Sequence, residues 1–284
     1  MRTRLAVYLE PRSYWRGAAS TGEYKVPTVI KYNNNLEAFQ RGAEVVEYFK
    51  GSKNTKKPIN DPMIAKCFDR HLGPRTMKTS IRPVPPGISL KTVYADMLAY
   101  LFKHACEFID DADGSSPLWT RFNSNFTLIV AITNDWASQR QEFLRNAVIK
   151  AGILPHNREM ERLRFVSESE AAIHFAINHT DIGSQLREGM ILGICDTDGP
   201  DAKTTVYKCT AATPNVQLEE VMTSKWTEAG NTVVDKKALQ FLRKKLAGCK
   251  FSDDKWIHEM IQIFKKKIVS SDHPAIIFSS FSNG

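Results

Sequence analysis

The 284-residue chain is short of the features that staple or anchor a protein. Its five cysteines, at 67, 106, 195, 209 and 249, are odd in number, lie no closer than fourteen positions apart and include no C-x-x-C. That pattern excludes a disulfide frame and a cysteine-rich zinc site and points to free thiols in a reducing compartment. The seven histidines form no H-E-x-x-H and no Cys/His cluster. Long apolar runs are missing as well. The longest, Phe126–Thr133 and Met190–Cys195, fall far short of the ~20 residues a membrane helix requires. The N-terminal run Leu5–Leu9 is broken by Glu10, too early for a signal-peptide core. No internal repeat or low-complexity tract occurs. The expected setting is the cytoplasm, with no membrane partner.

Net charge is scarce outside one segment. The chain carries 39 Lys+Arg against 31 Asp+Glu, a net charge of +8. Between Lys236 and Lys267 stand ten Lys/Arg and three acids, so this stretch is +7 and the other 252 residues together carry +1. Any electrostatic partner must therefore meet that segment. It contains no DNA- or RNA-binding motif and shows no interleaved aromatic platform, so nucleic acid is not the expected partner. The 42% apolar and 25% charged content is ordinary for a globular chain and excludes wholesale disorder.

What is present is an alternation of strand and helix patterns. Residues 26–32 read as a strand closed by the Asn33-Asn34-Asn35 turn signal. Residues 51–90, rich in Lys, Pro and Gly, read as an irregular insertion. Val93, Met97, Leu101, Ala105 and Phe108 lie on one face of a helix over 90–109. Phe126–Thr133 reads as a buried strand, residues 136–151 as a helix ended by Gly152, and residues 163–166 as another strand. Ser167-Glu168-Ser169-Glu170 has the S-x-x-E spacing of a capping box before a helix over 170–179. Strands are expected over 190–195 and 204–210, and helices over 232–247 and 254–268. The order argues an α/β class.

Two carboxylates stand where chemistry is plausible. Asp196 follows a buried-strand pattern in Asp196-Thr197-Asp198-Gly199, where it could hold Mg²⁺ through a water, with the glycine turn offering N–H groups to a phosphate. The same residues also suit an ordinary strand-to-turn exit. Glu168 is either a carboxylate near a water or metal, or an acid favoured by a helix start. Lys265-Lys266-Lys267 is either a phosphate contact or a solvated helix end.

In order, these pieces resemble the actin-like ATPase superfamily, and within it the fungal proteins similar to the seventy-kilodalton heat-shock chaperones. Ile132-Thr133-Asn134-Asp135-Trp136 resembles that family's V-P-A-x-W, and Lys150-Ala151-Gly152-Ile153 its A-G-I. Ser167-Glu168-Ser169-Glu170-Ala171-Ala172 is similar to its E-P-x-A-A, and the run from Asp196 to Tyr207 to its phosphate strand D-x-G-G-G-T-x-D. Ala229-Gly230 is similar to the later glycine turn, and Trp15-Arg16-Gly17 with Lys25-Val26-Pro27-Thr28 to the upstream W-P-G and K-V-P-T. The resemblance implies a two-lobe, ribonuclease-H-like fold, with lobe I over residues 1–187 and lobe II over 188–284. It implies ATP with Mg²⁺ between the lobes, Glu168 and Asp196 as catalytic candidates, Asp196 on Mg²⁺ through a water, and Gly199, Gly230, Lys266 and Lys267 on the nucleotide. A protein client or co-chaperone would be the partner.

The departures fall on the phosphate loop. Gly199 is followed by Pro200, which has no N–H to donate, and by Asp201, which adds negative charge beside an anion. The family's later aspartate is Lys203, and the proline after its glutamate is Ser169. The first phosphate loop, D-x-G-T-T, and the last adenosine motif, G-G, are absent, so both lobes are expected to be partial. The expected function is a degenerate heat-shock-70-like ATPase-domain protein with weak or lost hydrolysis. A non-enzymatic pseudo-ATPase interaction module or gene fragment is the alternative. A phosphohydrolase using Asp196-Thr197-Asp198-Gly199 as a D-x-D-G nucleophile loop ranks lower, because Pro200 stands where that family has Thr or Val.

Overall fold

The computed structural model describes residues 26–45, 61–72, 82–113, 126–132, 138–155, 157, 159–197, 202–213 and 215–269. They form a mixed α/β chain with two compact units, one ending at Val166 and the other beginning at Ser167. The boundary falls immediately before a helix.

In the first unit, β1 (Val29–Tyr32) is the central strand of an antiparallel sheet ordered β2 (Ala38–Arg41), β1, β3 (Ile64–Lys66). The asparagine turn joins β1 to β2. The Asn33 side-chain oxygen accepts from the backbone N–H groups of Asn35 and Glu37, both at 2.9 Å. This is the local chemistry that makes Asn a turn residue. Strand β3 and a 3₁₀ helix, Phe68–Leu72, arise inside the stretch expected to be irregular. Its sparse apolar residues explain the difference: Ile64, Ala65, Phe68, Leu72 and Ile88 are all buried, and they draw these parts of the stretch onto the core.

Helix α1 (Leu90–Asp113) covers that core. Val93, Tyr94, Met97 and Tyr100 are buried with Ile30, Tyr32 and Phe68. Tyr94 meets Phe68 and Phe143 edge-on, at centroid distances of 5.2 and 5.3 Å. Phe143 belongs to α2 (Ser138–Lys150), whose Leu144, Ala147 and Val148 are buried as the helical spacing predicts. Strand β4 (Leu128–Ile132) pairs with β5 (Leu163–Ser167), and a second cluster of Phe126, Leu128, Val148, Leu154 and Leu163 packs there. The short helix α3 (Glu159–Arg162) leads into β5.

The second unit starts at Ser167. Its hydroxyl accepts from Glu170 N at 3.0 Å and caps α4 (Glu168–His179), as the S-x-x-E spacing predicts. Ile173 and Ala176 of α4 are buried, and Ile173 packs with Leu192, Ile194, Tyr207 and Cys209 of an antiparallel sheet. That sheet runs β6 (Ile191–Asp196), β7 (Ala202–Ala211), β8 (Gln217–Thr227). Asp196 therefore ends a strand of an antiparallel hairpin, not of a parallel sheet. The short helix α5 (Ile182–Gln185) places Gly183 so near α4 that an added Cβ would lie 2.4 Å from the Ile177 carbonyl oxygen. Helices α6 (Asn231–Lys245) and α7 (Asp254–Val269) follow and pack on each other. All five cysteines are free.

One polar contact ties β1 to α1: Tyr32 Oη, on a buried ring, donates to Asp96 Oδ2 at 2.9 Å. Burial, then the Asp96 charge, raises the Tyr32 phenol above its ordinary value. Burial likewise raises Tyr94, pushes Tyr100 up to about 12 from 10.0, and pushes the Cys106 thiol up to about 11 from 9.0. Each group holds its proton more tightly folded than unfolded. Its contribution to stability is therefore complete below the unfolded value and is lost as pH rises through the folded one. The urea midpoint of the first unit is expected to fall between pH 9 and pH 12, while Tyr32→Phe destabilises at pH 7 by about 1–2 kcal/mol. A flat midpoint across that range would contradict the burial of these groups. Cys106 is expected to alkylate much more slowly at pH 8 than the exposed Cys67 and Cys249.

Candidate functional site

The first residues of α4 and the paired strands β6, β7 and β8 enclose a small pocket in the second unit. It is lined by Glu168 and Ser169 from α4, Asp196 from β6, Lys203 and Thr205 from β7, and Trp226 from β8, with Ile194 and Ser224 completing it. Each position has a local cause. The Ser167 cap fixes the first turn of α4, so Glu168 stands at the positive end of the helix. The antiparallel registers set Asp196 opposite Lys203, and Lys203 opposite Trp226.

Lys203 is the centre of the arrangement. Its Nζ donates to Glu168 Oε2 at 2.5 Å and lies 4.5 Å from the centroid of the Trp226 ring. The lysine side chain is 22% exposed and the glutamate 40%. An ammonium on an indole face beside a carboxylate is favoured by both partners, more so as water is excluded. Two further pairs fix the walls. Ser169 Oγ and Tyr207 Oη lie 3.0 Å apart in a buried contact that joins α4 to β7. Thr205 Oγ1 and Ser224 Oγ lie 2.7 Å apart and join β7 to β8. The indole Nε1 of Trp226 is buried without a hydrogen-bond partner among the described residues. The pocket encloses about 10 Å³, room for about one water molecule.

Of the residues singled out in the sequence, Glu168 and Asp196 are brought to the same pocket. Gly199 lies outside the described residues. Gly230 is the N-cap of α6, with φ −77, and is not among the pocket's lining residues. Lys266 and Lys267 lie in the last turns of α7, and their side chains are outside the described residues. Their neighbour Lys265 pairs with Asp235 of α6 at 3.0 Å, a tie between helices. Trp226 and Ser224 were not foreseen. Lys203 entered the sequence reading only as a departure; β7 holds a second lysine, Lys208, so no local signal set Lys203 apart. Among the described residues no group of three or more His, Cys, Asp and Glu could hold a metal ion.

No protein-family model and no curated protein matches the chain. Among solved structures it is similar to one described as "pCBH ParM non-polymerisable quadruple mutant", at 13% identity and a TM-score of 0.33. The match covers 42% of this chain and 38% of that one, so the chain spans well under half of the structure it matches. A likeness this partial assigns no fold.

The Glu168–Lys203 contact can be measured directly. A double-mutant cycle of Glu168→Gln and Lys203→Met, read by urea denaturation, is expected to give a coupling of about 0.5–1 kcal/mol, the range for a half-exposed pair. The coupling should shrink as salt is raised. Additive single-mutant effects would show that the contact does not form.

Proposed function

We propose that the chain is a degenerate actin-like ATPase-domain protein, of the branch similar to the seventy-kilodalton heat-shock chaperones, that has lost ATP hydrolysis and works through protein contacts. The family reading rests on the ordered motifs from Lys25 to Asp235, with the strand, capped helix and hairpin formed by β5, α4, β6 and β7 in keeping with it. The loss of catalysis rests on one observation: the amine of Lys203, at the family's aspartate position, lies on Glu168. A carboxylate that should act on water or a metal is instead held by the chain's own cation.

Charge and space agree with this reading. Glu168, Asp196 and Lys203 sum to −1, so the pocket offers a phosphate one committed ammonium and two carboxylates. With one carboxylate held by Lys203, the acids left for Mg²⁺ among the described residues are too few for a firm site. Pro200 and Asp201, which follow β6 in the sequence, take a donor away from the motif that the resemblance makes a phosphate cradle and add like charge. Mg-ATP therefore does not fit the residues present. A phosphohydrolase using Asp196 as nucleophile gains no support from this geometry. The expected partner is a protein client or co-chaperone, and the expected setting the cytoplasm.

Isothermal titration of the full chain with Mg-ATP is expected to show no binding tighter than about 100 μM, and release of phosphate no faster than in buffer. Micromolar affinity with turnover that disappears in Glu168→Gln would overturn the proposal.

A further inference from the structure

Strand β8 forms one edge of the second unit's sheet. Among the described residues it pairs with β7, and no strand lies on its other side. Outside that pairing, the one backbone bond its residues make there runs from Ala229 N to Thr227 O. The strand is 11 residues long. An open edge of this length is a template for another strand.

The register with β7 shows what the edge presents. As β7 advances from Thr204 to Val206, β8 advances from Lys225 to Met222. As β7 advances from Val206 to Tyr207, β8 advances from Met222 to Glu220. Both extra residues therefore belong to β8, one on each side of Met222. Strand β7 is regular through this stretch, so Thr204, Val206 and Lys208 share one face of the sheet. Their partners Lys225, Met222 and Glu219 share it too. Lys203, Thr205 and Tyr207, which serve the pocket and its walls, belong to the other face. Glu219 and Lys225 are exposed, and Val221, beside Met222, is 47% exposed.

We propose that β8 pairs antiparallel with β8 of a second copy of this chain, about a two-fold axis at Met222. Glu219 and Lys225 stand three positions from Met222, on opposite sides. A two-fold there sets Glu219 of each copy opposite Lys225 of the other, giving two opposite-charge pairs on one face. On the other face the same register sets Glu220 opposite Ser224 and Leu218 opposite Trp226, so no like charges meet. A register slipped by one residue, with Glu220 opposite Lys225, would match side chains from opposite faces. The bulges select the same occupant. A bulge bends an edge strand and spoils its fit to a straight one. A partner bent at the matching places is supplied by the same strand turned about Met222. The contact involves a single strand edge, so the dimer is weak and reversible. It makes no use of the Glu168–Lys203 pair and does not rest on the nucleotide reading.

Sedimentation velocity of the full chain from about 1 to about 200 μM is expected to show monomer giving way to dimer. Glu219→Lys alone and Lys225→Glu alone each place like charges opposite across the two-fold, and each is expected to stay monomeric. An equimolar mixture of the two variants restores opposite charges in both pairs and is expected to dimerise as the unaltered chain does. Thermal midpoints report whether each variant is folded, since Glu219 also faces Lys208. Met222→Cys keeps every charge. With the exposed Cys67 and Cys249 replaced by Ser, mild oxidation is expected to link two chains at position 222. Paired antiparallel Cα atoms lie about 4.5–5.5 Å apart, within disulfide reach. A chain that stays monomeric at every concentration would overturn the proposal. So would a dimer that survives either single charge variant, a mixture of folded variants that stays monomeric, or a Met222→Cys chain that crosslinks no faster than the same chain without that cysteine.

Discussion

A lysine amine held between a glutamate and an indole ring governs the second unit. Lys203 is the point at which the helix α4, the hairpin β6–β7 and the strand β8 meet. Without it, Glu168 and Asp196 would be two carboxylates lining one small pocket, each raising the cost of the other's charge. With it, the repulsion is relieved from inside the chain. A metal ion would do the same work with more charge and stricter geometry. Lys203 thus supplies from within the chain the positive charge that its neighbouring carboxylates would otherwise lack.

The same logic runs through the walls of the pocket. Ser169 stands where the resembled family has proline, and it gains a hydroxyl that meets Tyr207 in a buried contact. Proline at a helix start needs no partner, because its nitrogen carries no hydrogen. A serine there is 8% exposed and needs one. Tyr207 supplies it, from a strand whose neighbour Thr205 in turn meets Ser224. Departures that look like decay when read one at a time are mutually satisfied in space.

Legibility in the sequence followed burial. From Phe126 to His179 the two strands and the helices α2 and α4 were readable because each buries apolar residues at its own spacing and because Ser167 and Glu170 mark the start of α4 with their own hydrogen bond, whereas the four-residue α3 carried no such pattern. Strand β8 was not readable. It lies at one edge of its sheet among the described residues, none of its described side chains is fully buried, and Glu219 and Glu220 interrupt its alternation. Strand β3 was hidden by the lysines, prolines and glycines around three residues of strand. In the pocket, Glu168 and Asp196 were found through motif and position. Lys203 was seen only as an exception, since its partner is 35 positions away and no local pattern joins them.

Charge placement separates the two surfaces of this chain. The pocket, which the resemblance would fill with a polyanion, carries −1 and has spent its lysine on its own glutamate. The helices α6 and α7, which the sequence read as partly solvated, hold the net positive charge and half of the exposed apolar bulk. A cleft selects by shape and by the number of N–H donors it can aim. An outer face selects by area and sign. The positive charge of this chain therefore lies on α6 and α7 and not in the pocket.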